Sequence, residues 1–131
     1  MQIKDLLISQ QVIQQFLNRK MPAKEARKWS KLTYALVKNQ RLIEHELETV
    51  DKARVKLLAA NWTKNEKTNK YDIPDKDQEK WEAMYEELLS GEADFTPYQV
   101  PFALIENIEI TPGELYAISF IFTDLETDPA A

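Results

Sequence analysis

Residues 23–62 contain neither proline nor glycine, and no other feature constrains the fold of this chain as strongly. Pro22 stands immediately before them, where its fixed φ suits the start of a helix. Within the stretch, Trp29, Leu32, Leu36, Ile43, Leu47, Val50 and Leu57 recur at spacings of 3, 4, 7, 4, 3 and 7. That is close to a heptad pattern, so the spacing predicts one helix of roughly 40 residues, about 60 Å long, with a single apolar seam. A helix of that length outruns a small domain. It needs a partner along its seam, either a later helix folding back or a second copy of the chain, and a homo-oligomer is expected.

Asn39, Gln40, Arg54 and Asn61 project near the same seam. Polar residues there can fix packing register, and a buried Arg54 would need a carboxylate, with Glu82, Glu86 or Glu87 as suppliers. The opposite side of the helix is basic. Lys24, Arg27, Lys31, Lys38, Lys52 and Lys56 fall on one face, with Arg19, Lys20 and Lys28 close to its N-terminal end. This is the candidate face for an anionic partner, an acidic protein surface or the phosphates of a nucleic acid. The alternative is an ordinary solvated helix face that happens to be mostly positive. Tyr34 is the one aromatic residue close at hand for base stacking.

The flanking segments are shorter. Ile3, Leu6 and Ile8 suggest a short strand or extended lead, and Val12, Ile13, Phe16 and Leu17 a helix over about residues 9–19 with Ser9 as its N-cap. TKNEKTNKYD, residues 63–72, reads as an exposed loop or small hairpin. A second helix starts near Asp75, with Asp75 and Gln78 as a capping pair. Its stripe is Trp81, Met84, Tyr85, Leu88 and Leu89, and Gly91 stops it. It is expected to pack antiparallel on the end of the long helix.

Pro97 and Pro101 interrupt the next stretch, and LIENIEI, residues 104–110, reads as extended. Thr111, Pro112 and Glu114 form a helix start, with Leu115, Ile118, Phe122 and Leu125 on its buried face; the tail TDPAA is expected to fray. The competing reading of 115–122 is a strand, since YAISFIF favours β structure. The fold class expected is therefore mostly α. It comprises a long helix and a shorter antiparallel helix, a helical hairpin, with a small strand-plus-helix C-terminal part. A single domain of 131 residues is organised as 1–62, an exposed loop at 63–74, and 75–131.

Charge divides along the same lines. Residues 1–71 carry 15 Lys/Arg and 7 Asp/Glu, a balance of +8, whereas residues 72–131 carry 2 and 15, a balance of −13. The halves should attract, within one chain or between neighbours.

Motifs for catalysis are missing. With no cysteine there is no thiolate zinc site or thiol nucleophile, and two glycines do not make a phosphate-binding loop. The only histidine opens HELET, residues 45–49, where a zinc-protease motif would need a second histidine and has Thr49. His45 also projects roughly 170° away from the centre of the apolar seam. No metal, no cofactor and no catalytic residues are expected. The N-terminus lacks a signal peptide and no apolar run reaches a membrane span, so a cytoplasmic protein without membrane contact is expected.

The order of these features resembles a group of small phage and prophage proteins carrying a domain of unknown function. The matching words are AKEARKWSKL (23–32), LIEHELETVDKARVKLL (42–58), NEKTNKYDI (65–73), EKWEAMYEELL (79–89) and IENIEITPGEL (105–115). The glycine usual in that group's interhelical loop is missing. The resemblance implies a helical phage accessory protein acting in the host cytoplasm or during virion assembly. Its function would be non-enzymatic, as an assembly factor or as an inhibitor of a host or anti-phage defence protein. The alternatives are a nucleic-acid-binding accessory protein, and a small-ligand-binding oligomer or enzyme with an interfacial site.

Overall fold

A computed structural model describes residues 1–106 and 108–124. Its helices are α1 (Ile3–Leu17), α2 (Ala23–Lys28), α3 (Ser30–Asn61), α4 (Gln78–Leu89) and α5 (Pro112–Ile118), with a two-stranded hairpin, β1 (Thr63–Asn65) and β2 (Lys70–Asp72), between α3 and α4. The mostly α architecture, with one long helix and a shorter one returning along it, is as the periodicity predicts. Among the described residues no helix is long and apolar enough to cross a membrane. Leu125 and the tail 127–131 lie outside the described residues.

The long helix is interrupted at Trp29, whose backbone (φ −92°, ψ 5°) leaves the helical region. No proline or glycine causes this. The Trp29 ring turns toward the end of α1, where it lies 6.1 Å from Phe16, and Arg19 covers both rings. α3 proper therefore has 32 residues, about 48 Å.

α1 begins six residues before the expected N-cap. Ile3, Leu6, Ile13 and Phe16 make one buried face, and the Asp5 carboxylate accepts from the Gln2 backbone N–H at 3.0 Å at the helix start. Ser9 is not a cap. It is buried mid-helix, and its hydroxyl donates to the Ala117 carbonyl at 2.7 Å, with the Asp5 carbonyl of its own helix at 3.0 Å. A serine on an apolar face hides the face from a hydrophobicity pattern, but here the hydroxyl ties α1 to α5.

The core is built from three separate stretches of chain. α1 contributes Leu6, Ile13 and Phe16; α3 contributes Leu32, Ala35, Leu36 and Ile43; the C-terminal segment contributes Val100, Ile105, Ile118, Ile121 and Phe122. The expected seam is thus used within one chain: Leu32, Leu36 and Ile43 are buried, Trp29 and Leu47 pack against the core, and Val50 and Leu57 are half-buried. α4 covers the C-terminal half of α3 more thinly, with no fully buried residue. Trp62, Trp81 and Tyr85 stack edge to face there, with centroids 5.9 and 5.5 Å apart, and the Trp62 indole donates to Asp77 at 3.1 Å.

The hairpin turns tightly without glycine because Asn69 takes the left-handed conformation (φ 58°), and the Asn65 side chain accepts from the Lys67 and Thr68 backbone N–H groups. Arg54 finds its carboxylate on its own helix. It pairs with Asp51 at 2.9 Å, not with Glu82, Glu86 or Glu87, because one helical turn is a shorter reach than the gap to α4.

In the C-terminal part, the LIENIEI stretch, of which Asn107 lies outside the described residues, opens inside a 3-10 turn, Phe102–Ile105, and among the described residues β pairing there is a parallel bridge between Val100 and Phe122. The expected capping box is formed. The Thr111 hydroxyl accepts from the Glu114 N–H and the Glu114 carboxylate accepts from the Thr111 N–H, both at 3.1 Å. Helix therefore wins over strand from Pro112 to Ile118, and a 3-10 turn succeeds it over Ser119–Ile121. The Thr111 backbone hydrogen bond is the main influence holding Glu114 below the usual carboxylate range. Burial opposes it, while the Thr111 hydroxyl and Arg19, paired at 2.9 Å, assist.

These contacts set two expectations for stability. Leu36→Ala should cost about 2–5 kcal/mol, and Leu88→Ala on the thinly covered α4 about 1 kcal/mol, read from urea midpoints. The depressed Glu114 stabilises the fold above the ordinary carboxylate pKa, and that contribution is lost as pH falls through its lower folded value. Glu114→Gln should therefore flatten the loss of stability below about pH 4.5, measured by thermal melts against pH.

Candidate anion-binding face

Helix geometry sets the candidate site. Lys31, Lys38, Lys52 and Lys56 fall within about 60° of one another around α3 and span about 37 Å along it. Tyr34, Leu42, His45 and Thr49 fill the same face, and no Asp or Glu lies among them. All four lysines are exposed, as are Lys24 and Arg27 on α2. None of these six cations makes an ion pair with a described residue. The break at Trp29 divides the row, so Lys24 and Arg27 belong to a separate short helix and do not continue the α3 track in register. Arg19, at the same end, is taken up structurally by Glu114, Phe16 and Trp29.

His45 is exposed on this face, and the Thr49 hydroxyl donates to its carbonyl at 3.4 Å, a local helix-surface contact. Among the described residues no three His, Asp or Glu side chains converge on one point.

The structure adds a residue that the sequence did not point to. Tyr98 comes from the extended segment between Pro97 and Pro101 and lies against Tyr34, ring centroids 5.5 Å apart and nearly perpendicular. The Lys38 ammonium sits 4.8 Å from the Tyr98 ring and 5.7 Å from the Tyr34 ring. Tyr34 is 57% exposed and Tyr98 36%. Tyr34, Val37, Lys38, Arg41 and Leu42 line an open groove of about 330 Å³ beside the pair.

Tyr98 is held from beneath by Asn39, a fully buried side chain. The Asn39 amide donates to the Tyr98 carbonyl at 2.8 Å and accepts from the Tyr98 N–H at 3.0 Å, pairing with this residue as a neighbouring strand would. Its second amide hydrogen goes to the Ala35 carbonyl at 2.8 Å. Asn39 does fix packing register, as its place near the seam suggests, but between α3 and an extended segment of the same chain. The sequence shows only that Tyr98 lies in a stretch between two prolines, which argues against a helix there. What it lands on is set by the tertiary fold.

A second surface feature also has no signature in the sequence. Tyr116, 84% exposed, and Ile8, 56% exposed, border a cleft between α1 and α5 of about 440 Å³ that also includes Met1 and Phe120. A further open cleft of about 540 Å³ is lined by Gln10, Glu44, Leu47, Glu48, Asp51 and Lys52. No protein-family model matches this chain, and neither the curated proteins nor the solved structures contain a match to it.

Removing the Asn39 side chain leaves the Tyr98 N–H and carbonyl without their buried partner. Asn39→Ala should therefore cost about 2–3 kcal/mol in urea denaturation, well above the cost of an exposed-site change such as Lys38→Ala.

Proposed function

We propose that this protein is a non-enzymatic accessory protein that binds an anionic macromolecule through the basic face of α3, with the cations of α2 at one end. The observation that carries this reading is the row of exposed lysines, none of them in an ion pair with a described residue, on a chain whose net charge is −5. In an acidic protein, cations left in proximity to many carboxylates usually settle into ion pairs or alternate with them. Lys52 shares a cleft with Glu44, Glu48 and Asp51, yet the four lysines stay unpaired among the described residues and concentrate positive potential along one line.

The resemblance to phage and prophage proteins favours a setting of virion assembly, or of inhibition of a host or anti-phage defence protein in the host cytoplasm. A homo-oligomer is compatible with the reading. The apolar seam of α3 is covered by α1 and the C-terminal segment, so copies would associate through another surface.

The test is retention on an immobilised polyanion. At about 50 mM salt, where screening is weak, the protein should bind heparin despite its acidic pI, and Lys38→Gln/Lys52→Gln/Lys56→Gln should pass through unretained. A wild-type protein that also passes through would remove the reading.

A further inference from the structure

Building on the basic-face reading, we infer that the anionic partner is a single-stranded nucleic acid, with bases stacked at Tyr34 and Tyr98 and the backbone running along Lys31, Lys38, Lys52 and Lys56. Three observations converge on this partner.

The first is chemical pairing. A polyanion that is only a string of charges, such as an acidic polypeptide, needs cations and gains little from exposed aromatic rings. A single-stranded nucleic acid needs both, phosphates meeting Lys and Arg and bases meeting π faces. The groove at Tyr34 offers both within one helical turn, with Lys38 against the two rings and Arg41 lining the same depression.

The second is preorganisation. Tyr98 is well exposed, yet both of its backbone polar groups are bonded to a buried Asn39. With its backbone fixed, only the ring's own side-chain rotation remains to be ordered when a base stacks on it, so more of the stacking energy appears as affinity.

The third is width. Glu44, Glu48 and Asp51 lie roughly 70–130° around α3 to one side of the lysine row, and Glu46 about 90° to the other. Glu46 is fixed there by accepting the Asp94 backbone N–H at 3.2 Å. Between Lys38 and Lys52 the lysine face is therefore narrow, with carboxylates to both sides of it, whereas no acid of α3 flanks it at Lys31 and Lys38. A single strand fits on it. A duplex would bring its second phosphate row against the carboxylates.

The experiment is fluorescence anisotropy on the full chain with labelled oligo-dT and oligo-U of about 15 nucleotides, a duplex of equal length, and polyglutamate as the protein-like polyanion. Either single strand should bind more tightly than the duplex, and their ratio reports whether DNA or RNA is preferred. Binding should weaken with salt at a log–log slope of about −2 to −3, and Lys52→Gln/Lys56→Gln should reduce that slope by about one. Tyr34→Ala and Tyr98→Ala should each weaken binding about ten-fold, whereas Tyr34→Phe and Tyr98→Phe should bind like wild type. Urea midpoints confirm that each variant folds. Equal binding of duplex and single strand, or alanine variants that bind like wild type, would overturn the inference. Binding of polyglutamate without either oligonucleotide would overturn it too, while leaving the basic-face reading intact. Failure to bind any of these, together with passage through heparin, would remove both.

Discussion

The fold depends on how one side of α3 is covered. A 32-residue helix is longer than any other element of the chain, and no single neighbour spans it. Its N-terminal half is enclosed by α1 and by the C-terminal segment, so Leu32, Leu36 and Ile43 are fully buried. Its C-terminal half has mainly α4 to cover it, and Val50 and Leu57 remain half-exposed. Local stability tracks buried apolar contact, so the Trp62–Trp81 end should open at lower free energy than the Leu36 end. The same arrangement determines the surface. Once α1 and the C-terminal segment occupy the apolar side, the lysine side is what remains, and the segment that crosses at Asn39 carries Tyr98 to its border.

Folding does not bring the two oppositely charged halves into register. The described ion pairs that join them are Arg19 with Glu114 and the terminal amine of Met1 with Glu92, whereas Arg54 and Asp51 belong to the same half. The Met1–Glu92 pair is open to solvent at Glu92 and contributes little to stability, while the better-covered Glu114 pairs with Arg19 as part of its capping box. The core is held by apolar burial and by a few buried hydrogen bonds at Ser9 and Asn39, and the charge asymmetry is left over for the protein's surroundings. This is why the apolar seam, expected to pack on a later helix or on a second copy of the chain, is largely covered within the chain, while the lysines of the basic face stay exposed.

Local signals were legible in the sequence where they were self-contained. The Thr111–Pro112–Glu114 box specifies a helix start with groups only three residues apart, and it outweighs the β preference of the residues after it. The stripe of α4 and the polar hairpin were legible for the same reason. Two local readings failed: Arg54 pairs with Asp51 of its own helix, and the expected Asp75–Gln78 cap is not formed, Gln78 donating instead to the Ile73 carbonyl. Other misreadings came where a distant residue decides. Ser9 looks like a cap until the Ala117 carbonyl, 108 positions away, accepts its hydroxyl. Trp29 continues the apolar repeat perfectly well, and its contacts with Phe16 and Arg19 at the break are set by the tertiary fold. Of the candidate site, the lysines and Tyr34 could be placed by helical projection. Tyr98 could not, because a proline-bounded extended segment says how its backbone is held and nothing about where it goes.

A basic track on an acidic protein also sets the balance of forces at the site. At distances beyond about 8–10 Å in physiological salt the charges are screened, and what long-range field survives reflects a net charge of −5, which repels a polyanion. Attraction begins only within reach of the lysines. A polyanion would therefore gain less from long-range steering here than at a uniformly basic protein, and the proposed complex would rely on short-range contacts. Lysine–phosphate pairs alone are a weak hold in that situation, since they are screened by the same salt. Stacking is not screened. An aromatic pair beside the track would supply the kind of contact that such an electrostatic layout leaves wanting, and the buried Asn39 fixes the backbone that carries one of its two rings.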